Sequence, residues 1–273
     1  MTHMKSTNET LHTLMKNNSF QHFSPIIRKM TAPELSGSPS LNDKLRIAQN
    51  GSIEVCYAPF EYVNPQARIV IVGVTPGHTQ MLNAIRECRR QLDDGADDRS
   101  ALRAAKLTGA FSGAMRPNLV ALLDAVGLNR WLGLESCSEL FGRAAELAQT
   151  TSVLTNPVFI GGENYNGTPS MIRHPLLQQQ LIEGFGRDAQ GLRSAVFVPL
   201  GDKVAEALHF LADRGCLSRE RILDGLPHPS GANAERIAYF LGKKDRSALS
   251  AKTNPDKLDR ARSQLLSKVA ALA

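Results

Sequence analysis

The sequence lacks any apolar run long enough to cross a membrane, and its first 18 residues contain no apolar stretch followed by a small-residue cleavage site. A membrane-spanning helix needs about 20 consecutive apolar residues, and a secretory signal needs the apolar stretch together with its cleavage site. We therefore expect a protein that has no membrane partner and that resides in the cytoplasm.

Cysteine is scarce as well, because only four occur among the 273 residues and no two of them form a C-x-x-C pair. They are Cys56, Cys88, Cys137 and Cys216. Zinc and iron–sulfur sites need clustered thiolates. We therefore predict no metal site, and we expect four reduced thiols.

The two common nucleotide-binding motifs are also missing. The turn GVTPG at 73–77 follows an apolar run, yet it has neither the Lys-Ser/Thr ending of a Walker loop nor the G-x-G-x-x-G pattern of a dinucleotide-binding turn. An ATPase or a nicotinamide enzyme is therefore not supported, and no cofactor is predicted.

Net charge is modest at +6, but the excess is concentrated near one end. Residues 243–273 contain eight basic and three acidic residues. The basic ones are Lys243, Lys244, Arg246, Lys252, Lys257, Arg260, Arg262 and Lys268. A basic segment favours binding to a phosphate backbone because it releases condensed counterions, but a solvated helix face has the same composition. Both interpretations stay open.

Apolar, β-branched runs alternate with helical patterns. Residues 67–73 (ARIVIVG), 150–159 (TTSVLTNPVF) and 194–201 (SAVFVPLG) are typical of strands buried on both faces. Residues 221–231 (RILDGLPHPSG) are a weaker run of the same kind, and patterns such as that of 79–92 between these runs indicate helices. We predict a three-layer α/β/α sandwich with a central, mostly parallel four-stranded sheet.

The flanks of the chain differ from this pattern in composition. Residues 1–50 are polar and weakly periodic, and we expect them to form a helical arm packed on the core. Residues 51–242 are predicted to form the α/β domain, and residues 243–273 a basic helical extension of it.

Two polar turns follow predicted strands, where the ligands of parallel sheets bind. In 73–77, two glycines and a proline form a tight turn that lets backbone amides approach a ligand. In 228–233 (HPSGAN), His228 can aim an N–H at an oxygen that becomes negative, while Ser230 and nearby amides can hold a phosphate. A Ser/Asn helix cap with an incidental histidine is the other interpretation of this hexapeptide.

Together, G-x-x-P-G after the first predicted strand and H-P-S-x-x-N after the last resemble the uracil-DNA glycosylase superfamily. The likeness is greatest to its single-strand-selective monofunctional and mismatch-specific branches. Taken in order, it extends over roughly residues 51–242 and includes LTGAFSGAMRPNL at 107–119 and NYNGTPS at 164–170.

The resemblance implies a monofunctional DNA glycosylase of base excision repair. Such an enzyme flips a deaminated base, with uracil as the first candidate, out of the stack and hydrolyses its N-glycosidic bond to leave an abasic site. In this role Phe111 would stack on the base and Asn156 would read its Watson–Crick edge. His228 would stabilise the departing base as an anion.

The resemblance also assigns the remaining contacts. The base-binding turn would contribute Gly73, Pro76 and Gly77. The DNA-binding residues would be Ser230, Gly231, Ala232 and Asn233, to which the basic segment beyond the resemblance adds Lys243 and Lys244. We expect DNA as the partner, a monomer, and no metal or cofactor.

The sequence departs from the superfamily pattern at Thr75, where an Asp, Asn or Glu usually orients or activates water. A threonine hydroxyl is no general base at neutral pH, although it can hold a water. His78 could orient the water instead, or it could be an exposed residue of the first helical turn. Two alternatives therefore stay open: a weak or inactive relative that binds damaged or single-stranded DNA, and a small-molecule enzyme such as a nucleoside hydrolase.

Overall fold

The computed structural model describes residues 20–38, 40–109 and 115–272. The chain divides into two compact units. Unit 1 draws its described residues from Met1–Tyr62, Thr75–Ala110 and Leu154–Thr168, and unit 2 from Val63–Val74, Phe111–Val153 and Pro169–Ala273. The expected division into an arm, a domain and an extension stays a prediction.

The described residues form both strands and helices, numbered in chain order. The strands are β1 Arg46–Asn50, β2 Ile53–Cys56, β3 Ile69–Gly73, β4 Ala148–Ser152, β5 Val158–Ile160, β6 Glu163–Asn164 and β7 Val196–Pro199. The helices are α1 Phe20–Arg28, α2 Ala32–Leu35, α3 Ser40–Leu45, α4 His78–Asp93, α5 Asp98–Gly109, α6 Met115–Ala125, α7 Leu128–Leu132, α8 Pro175–Glu183, α9 Phe185–Gln190, α10 Asp202–Ala212, α11 Ala234–Phe240 and α12 Pro255–Ala270.

Unit 2 contains a parallel sheet with the strand order β4-β3-β7. The central strand β3 pairs with both neighbours, in registers that place Ile69 opposite Ala148 and opposite Val196. Its residues 69–72 are fully buried, as expected for a branched apolar run with neighbours on both faces. The prediction of a mixed α/β protein with a parallel sheet is therefore confirmed.

The predicted fourth parallel strand is wrong. A single parallel bridge, Phe197↔Ile222, is the pairing that joins the segment 221–231 to the sheet. Gly225 turns the chain with φ at +117°, and the two prolines of LPHPS have no N–H to offer a ladder. The parallel sheet therefore has three strands instead of four.

Helices pack against the strands of unit 2 from two directions. Ile69 and Ile71 share a buried cluster with leucines of α6 and with Leu265 of α12. Phe197 of β7 contacts Phe185 of α9, with ring centroids 6.1 Å apart. Val196 and Val198, on either side of Phe197, belong to the first cluster. Because neighbouring residues of a strand point to opposite faces, the single strand β7 packs against both sets of helices.

The C-terminal helix α12 packs on the segment that follows the bridge. Lys268 donates to the carbonyl of Ile222 at 2.9 Å and to Oδ1 of Asp224 at 2.7 Å. A Cβ built on Gly225 would lie 3.0 Å from the Cβ of Ala261, so the helix and this segment are in close contact. Within the C-terminal region, residues Pro255–Ala270 are thus helical.

Unit 1 contains an antiparallel sheet, ordered β1-β2-β5-β6, that the sequence did not predict. The single strand predicted over 150–159 is wrong, because β4 ends at Ser152 and β5 pairs with β2 from Val158 onwards. Pro157 precedes β5. Because proline has no backbone N–H to donate, it separates the hydrogen-bond ladder of β4 from that of β5. One apolar run therefore supplies strands to two different sheets.

Helices complete unit 1. The helical pattern of 79–92 is confirmed by α4, in which Met81, Ile85 and Cys88 are buried. Phe23 of α1 stacks on Tyr57, with ring centroids 4.1 Å apart. Throughout the described part of the chain, no helix combines the length and apolar character that a membrane crossing requires.

Candidate functional site

The imidazole of His228 is held in one tautomer by its own turn. The backbone N–H of Ser230 donates to Nδ1 of His228 at 3.2 Å, so this nitrogen acts as an acceptor and carries no hydrogen. In the neutral ring, the hydrogen then lies on Nε2. Burial lowers the pKa of His228 below its ordinary value of 6.5, because desolvation disfavours the charged ring. The turn therefore presents a neutral N–H donor at pH 7.

His228 lies at the carboxyl edge of the parallel sheet. A Cβ built on Gly201, just beyond the end of β7, would lie 3.7 Å from the Cβ of His228. The N–H of Leu200 donates to the carbonyl of Val72 at 2.9 Å, which ties this turn to the end of β3, where Gly73 lies. Gly201 has φ at +97°, a conformation that favours glycine. Within unit 2, His228 and Gly73 thus lie at the edge where parallel sheets bind ligands.

A side chain of helix α6 anchors the histidine turn. Nδ2 of Asn118 donates to the carbonyl of Pro229 at 3.0 Å, and Pro229 is buried. No sequence pattern indicates this contact, since the two residues are 111 positions apart. The turn is therefore held both by its own Ser230–His228 hydrogen bond and by the side chain of Asn118.

The four residues after Pro229 form a surface turn. Oγ of Ser230 accepts from Nδ2 of Asn233 at 3.2 Å, and Oδ1 of Asn233 accepts from Nη1 of Arg236 at 3.0 Å. Gly231 and Ala232 are exposed. The four residues predicted to contact DNA thus lie together, beside an exposed arginine that no sequence motif singled out.

The two predicted DNA-binding lysines differ in environment. Nζ of Lys244 donates to Oε1 of Glu235 at 2.8 Å, whereas Lys243 is exposed. Lys244, Ser250 and Thr253 all donate to the Glu235 carboxylate, and these bonds hold its pKa far below the ordinary range. The Lys244 ammonium is therefore part of a charge-paired network, which leaves Lys243 as the more accessible of the two charges.

In unit 1, the hydroxyl of Thr75 forms hydrogen bonds with the main chain just before β5 and with the first residue of β5. Its Oγ1 donates to the carbonyl of Asn156 at 2.9 Å and accepts the N–H of Val158 at 3.1 Å. Asn156 itself is 9% exposed. The single hydroxyl hydrogen of Thr75 is therefore already engaged with the main chain.

His78 begins helix α4 in a tightly packed turn. Its N–H donates to Oδ1 of Asn164 at 2.9 Å, and its ring lies edge-on to Phe159 at 6.1 Å between centroids. A Cβ built on Gly77 would lie 2.8 Å from Oε1 of Gln80, so this glycine permits a close approach of side chains. The His78 ring also borders a polar cleft of about 590 Å³, lined in addition by Asp43, Arg46, Gln49 and Glu54.

The predicted site residues fall into two groups. The group in unit 1 contains Thr75, Pro76, Gly77, His78 and Asn156, and the group in unit 2 contains Gly73, His228 and the turn 230–233. The predicted base-stacking residue, Phe111, lies outside the described residues. Within the described ranges, no three His, Cys, Asp or Glu side chains are arranged to hold a metal ion.

The fold is that of a mixed α/β protein whose unit 2 carries His228 at the carboxyl edge of a parallel sheet. The chain is 34% identical over 215 residues to the uncharacterized protein YoxB of Bacillus subtilis (strain 168), a match that covers 78% of this chain and 84% of YoxB. It therefore belongs to the same family as YoxB. No protein-family model matches the chain, and no solved structure matches it.

Proposed function

We propose that the protein is a monofunctional DNA glycosylase, which flips a deaminated base into a pocket and hydrolyses its N-glycosidic bond. Uracil is the first substrate to consider. Water adds to the sugar carbon, the base departs as an anion that then takes up a proton, and the DNA keeps an abasic site. The reaction requires neither a metal nor an organic cofactor.

The observation that carries this proposal is the fixed, neutral N–H of His228. As the glycosidic bond breaks, negative charge develops on a carbonyl oxygen of the departing base. A donor that is already oriented stabilises this charge without reorganising in the transition state. The bond from Ser230 N–H to Nδ1 leaves the ring hydrogen on Nε2, which is the tautomer that such a role needs.

Two further roles follow from the residues in their own units. The Asn156 amide offers a donor and an acceptor together, which is what reading a flipped base requires. The surface turn 230–233 and the exposed Lys243 offer polar and charged groups for contacts with the DNA backbone, which set register and affinity. A DNA contact by Lys244 stays a prediction, because its ammonium is bound to Glu235.

The test is incubation with oligonucleotides that contain uracil, hypoxanthine or a thymine mismatch, followed by alkali to break abasic sites. We expect strand breaks with at least one substrate. His228→Ala should lower the single-turnover rate by about 10²–10³, the usual effect of losing one such donor. His22→Ala, at an exposed position in unit 1, is the matched control and should cleave as wild type does. A His228→Ala protein with undiminished rate would remove the leaving-group role.

The base-reading role has its own test. Asn156→Asp replaces the amide donor with a carboxylate oxygen, so the base edge that is accepted should change. We expect the ratio of kcat/KM for uracil to that for the other bases to fall. An unchanged ratio would show that Asn156 does not read the base.

A second candidate function is favoured by the engaged hydroxyl of Thr75. A threonine hydroxyl is no general base at neutral pH, and the hydrogen and one lone pair of Thr75 are already used by the main chain, so Thr75 cannot activate a water strongly. The protein would then bind damaged or single-stranded DNA without cleaving it. Tight binding to the same oligonucleotides, with no strand breaks on any of them, would establish this second function.

The broader expectations belong to the same proposal. It includes a three-layer α/β/α arrangement around the parallel sheet, a monomer, and action in the cytoplasm. The four cysteines are free and buried, as suits a reducing compartment.

A further inference from the structure

We propose that Thr75 is a positioning residue, whose hydroxyl holds the main chain of Asn156 in place for base reading, and that activating the attacking water is not its task. This inference rests on the proposed glycosylase function. It assigns to Thr75 a task different from the one that its place in the first motif suggests.

The geometry carries the inference. The hydroxyl donates to the carbonyl of Asn156 at 2.9 Å and accepts from the N–H of Val158 at 3.1 Å, so a single oxygen closes both ends of a three-residue segment. Both distances lie in the range of well-formed hydrogen bonds. A threonine hydroxyl has one hydrogen and two acceptor lone pairs, so the hydrogen and one of the lone pairs are already used by the main chain.

The segment that Thr75 closes is held by several main-chain hydrogen bonds. Its middle residue is Pro157, which has no N–H. The Pro157 carbonyl accepts from the N–H of Cys56 at 2.9 Å. The main-chain hydrogen bonds of residues 156–158 therefore include one to β2 and two to Thr75. Losing the hydroxyl removes both bonds to Thr75. We therefore expect the Asn156 backbone, and with it the amide, to lose its fixed orientation.

The closing experiment is a double-mutant cycle. Thr75→Val keeps the shape and removes the hydroxyl, Thr75→Ser keeps the hydroxyl, and Asn156→Ala removes the reading amide. KM and kcat are measured for each variant on uracil and thymine-mismatch oligonucleotides. Thr79→Val, at an exposed position in the same unit, is the matched control.

If Thr75 acts through Asn156, Thr75→Val raises KM for the uracil substrate by about tenfold, as expected when hydrogen bonds of ordinary strength are lost, and reduces the preference for uracil. Thr75→Ser restores both quantities. The double variant Thr75→Val/Asn156→Ala is no worse than Asn156→Ala alone, because residues that act as one unit are not additive. Hydrogen exchange at the Val158 amide becomes faster in Thr75→Val than in wild type.

Three results would overturn the inference. Additive effects in the cycle would mean that Thr75 and Asn156 act separately. A fall in kcat for every base, with selectivity intact, would mean that the hydroxyl serves the water. Unchanged exchange at Val158 would mean that the hydroxyl does not hold the segment. A wild-type protein that neither cleaves nor distinguishes bases is a different result, because it ends the proposed function itself and this inference with it.

Discussion

The anchoring of the histidine turn by Asn118 can be tested by replacing that residue with leucine, which keeps a similar volume and removes the amide. The Pro229 carbonyl loses its donor at 3.0 Å in a partly buried turn. We expect the free energy of unfolding to fall by about 1–2 kcal/mol, the usual effect of leaving such a group unpaired. With a urea slope of about 3 kcal/mol per M, the midpoint falls by about 0.3–0.7 M.

The same variant should alter the His228 ring. In the wild type, long-range ¹H–¹⁵N spectra are expected to show a single tautomer with hydrogen on Nε2, because Nδ1 accepts from Ser230 N–H. A loosened turn weakens that bond and exposes the ring. Asn118→Leu should therefore give mixed tautomers and bring the pKa of His228 closer to 6.5. This readout requires no substrate, so it stands apart from any enzymatic activity.

A matched control exists in the neighbouring helix. Nδ2 of Asn129 donates to the carbonyl of Glu135 at 3.0 Å, which is the same kind of bond in the same unit. Asn129→Leu should lose some stability and leave the His228 tautomer and pKa unchanged. If Asn118→Leu also leaves both at their wild-type values, the anchoring role is refuted.

Three further predictions concern unit 2. A proton taken up by Nδ1 of His228, whose pKa is lowered, would face the Ser230 N–H that this nitrogen accepts and disturb the turn, so the cleavage rate should be flat above pH 7 and fall at a pH below 6.5. The unfolded histidine takes up its proton at a higher pH than the folded one, so the free energy of unfolding should fall as the pH drops through 6.5. His228→Ala should flatten that slope in urea titrations. Gly201→Ala forces a side chain into φ +97° and should lower the free energy of unfolding by about 1–2 kcal/mol, seen as a lower Tm with the fold retained. Lys268→Met removes the bonds to Asp224 and Ile222 and should lower stability by about 1–2 kcal/mol at pH 7. Part of that difference should vanish below pH 3.8, where the Asp224 carboxylate, whose pKa is lowered, becomes protonated; a difference that stays constant down to pH 2 would contradict the ion-pair part.

A strand could be predicted where its own residues are enough to determine the extended conformation and its burial. The run 69–72 is branched and apolar throughout, and it became the buried centre of the parallel sheet. The run 150–159 looks equally continuous, but its division between two sheets depends on pairing partners far away in sequence, which no local pattern reports. The segment 221–231 had the length of a strand, and Gly225 with its neighbouring prolines reduced it to one bridge.

In the candidate site too, local features could be predicted from the sequence, whereas contacts between distant residues could not. His228 could be singled out because a histidine on a rigid turn after a strand is locally visible. Asn118 could not, since its contact with Pro229 spans most of a domain in sequence. Lys244 looked like a free surface charge, yet Glu235 binds it at 2.8 Å. Which charges remain available to a partner is decided by the packing of helices, and composition does not report it.

Helix α12 also has a consequence for how copies of this protein behave in concentrated solution. At the edge strand β7 of the parallel sheet, Phe197 pairs with Ile222, and the N–H of Leu223 donates to the carbonyl of Phe197 at 2.8 Å. The carbonyl of Ile222 accepts a hydrogen bond from Lys268. Open strand margins are templates on which other chains can add and aggregate. Helix α12 covers this segment through Lys268, so we expect Lys268 to oppose such addition whether or not the protein binds nucleic acid.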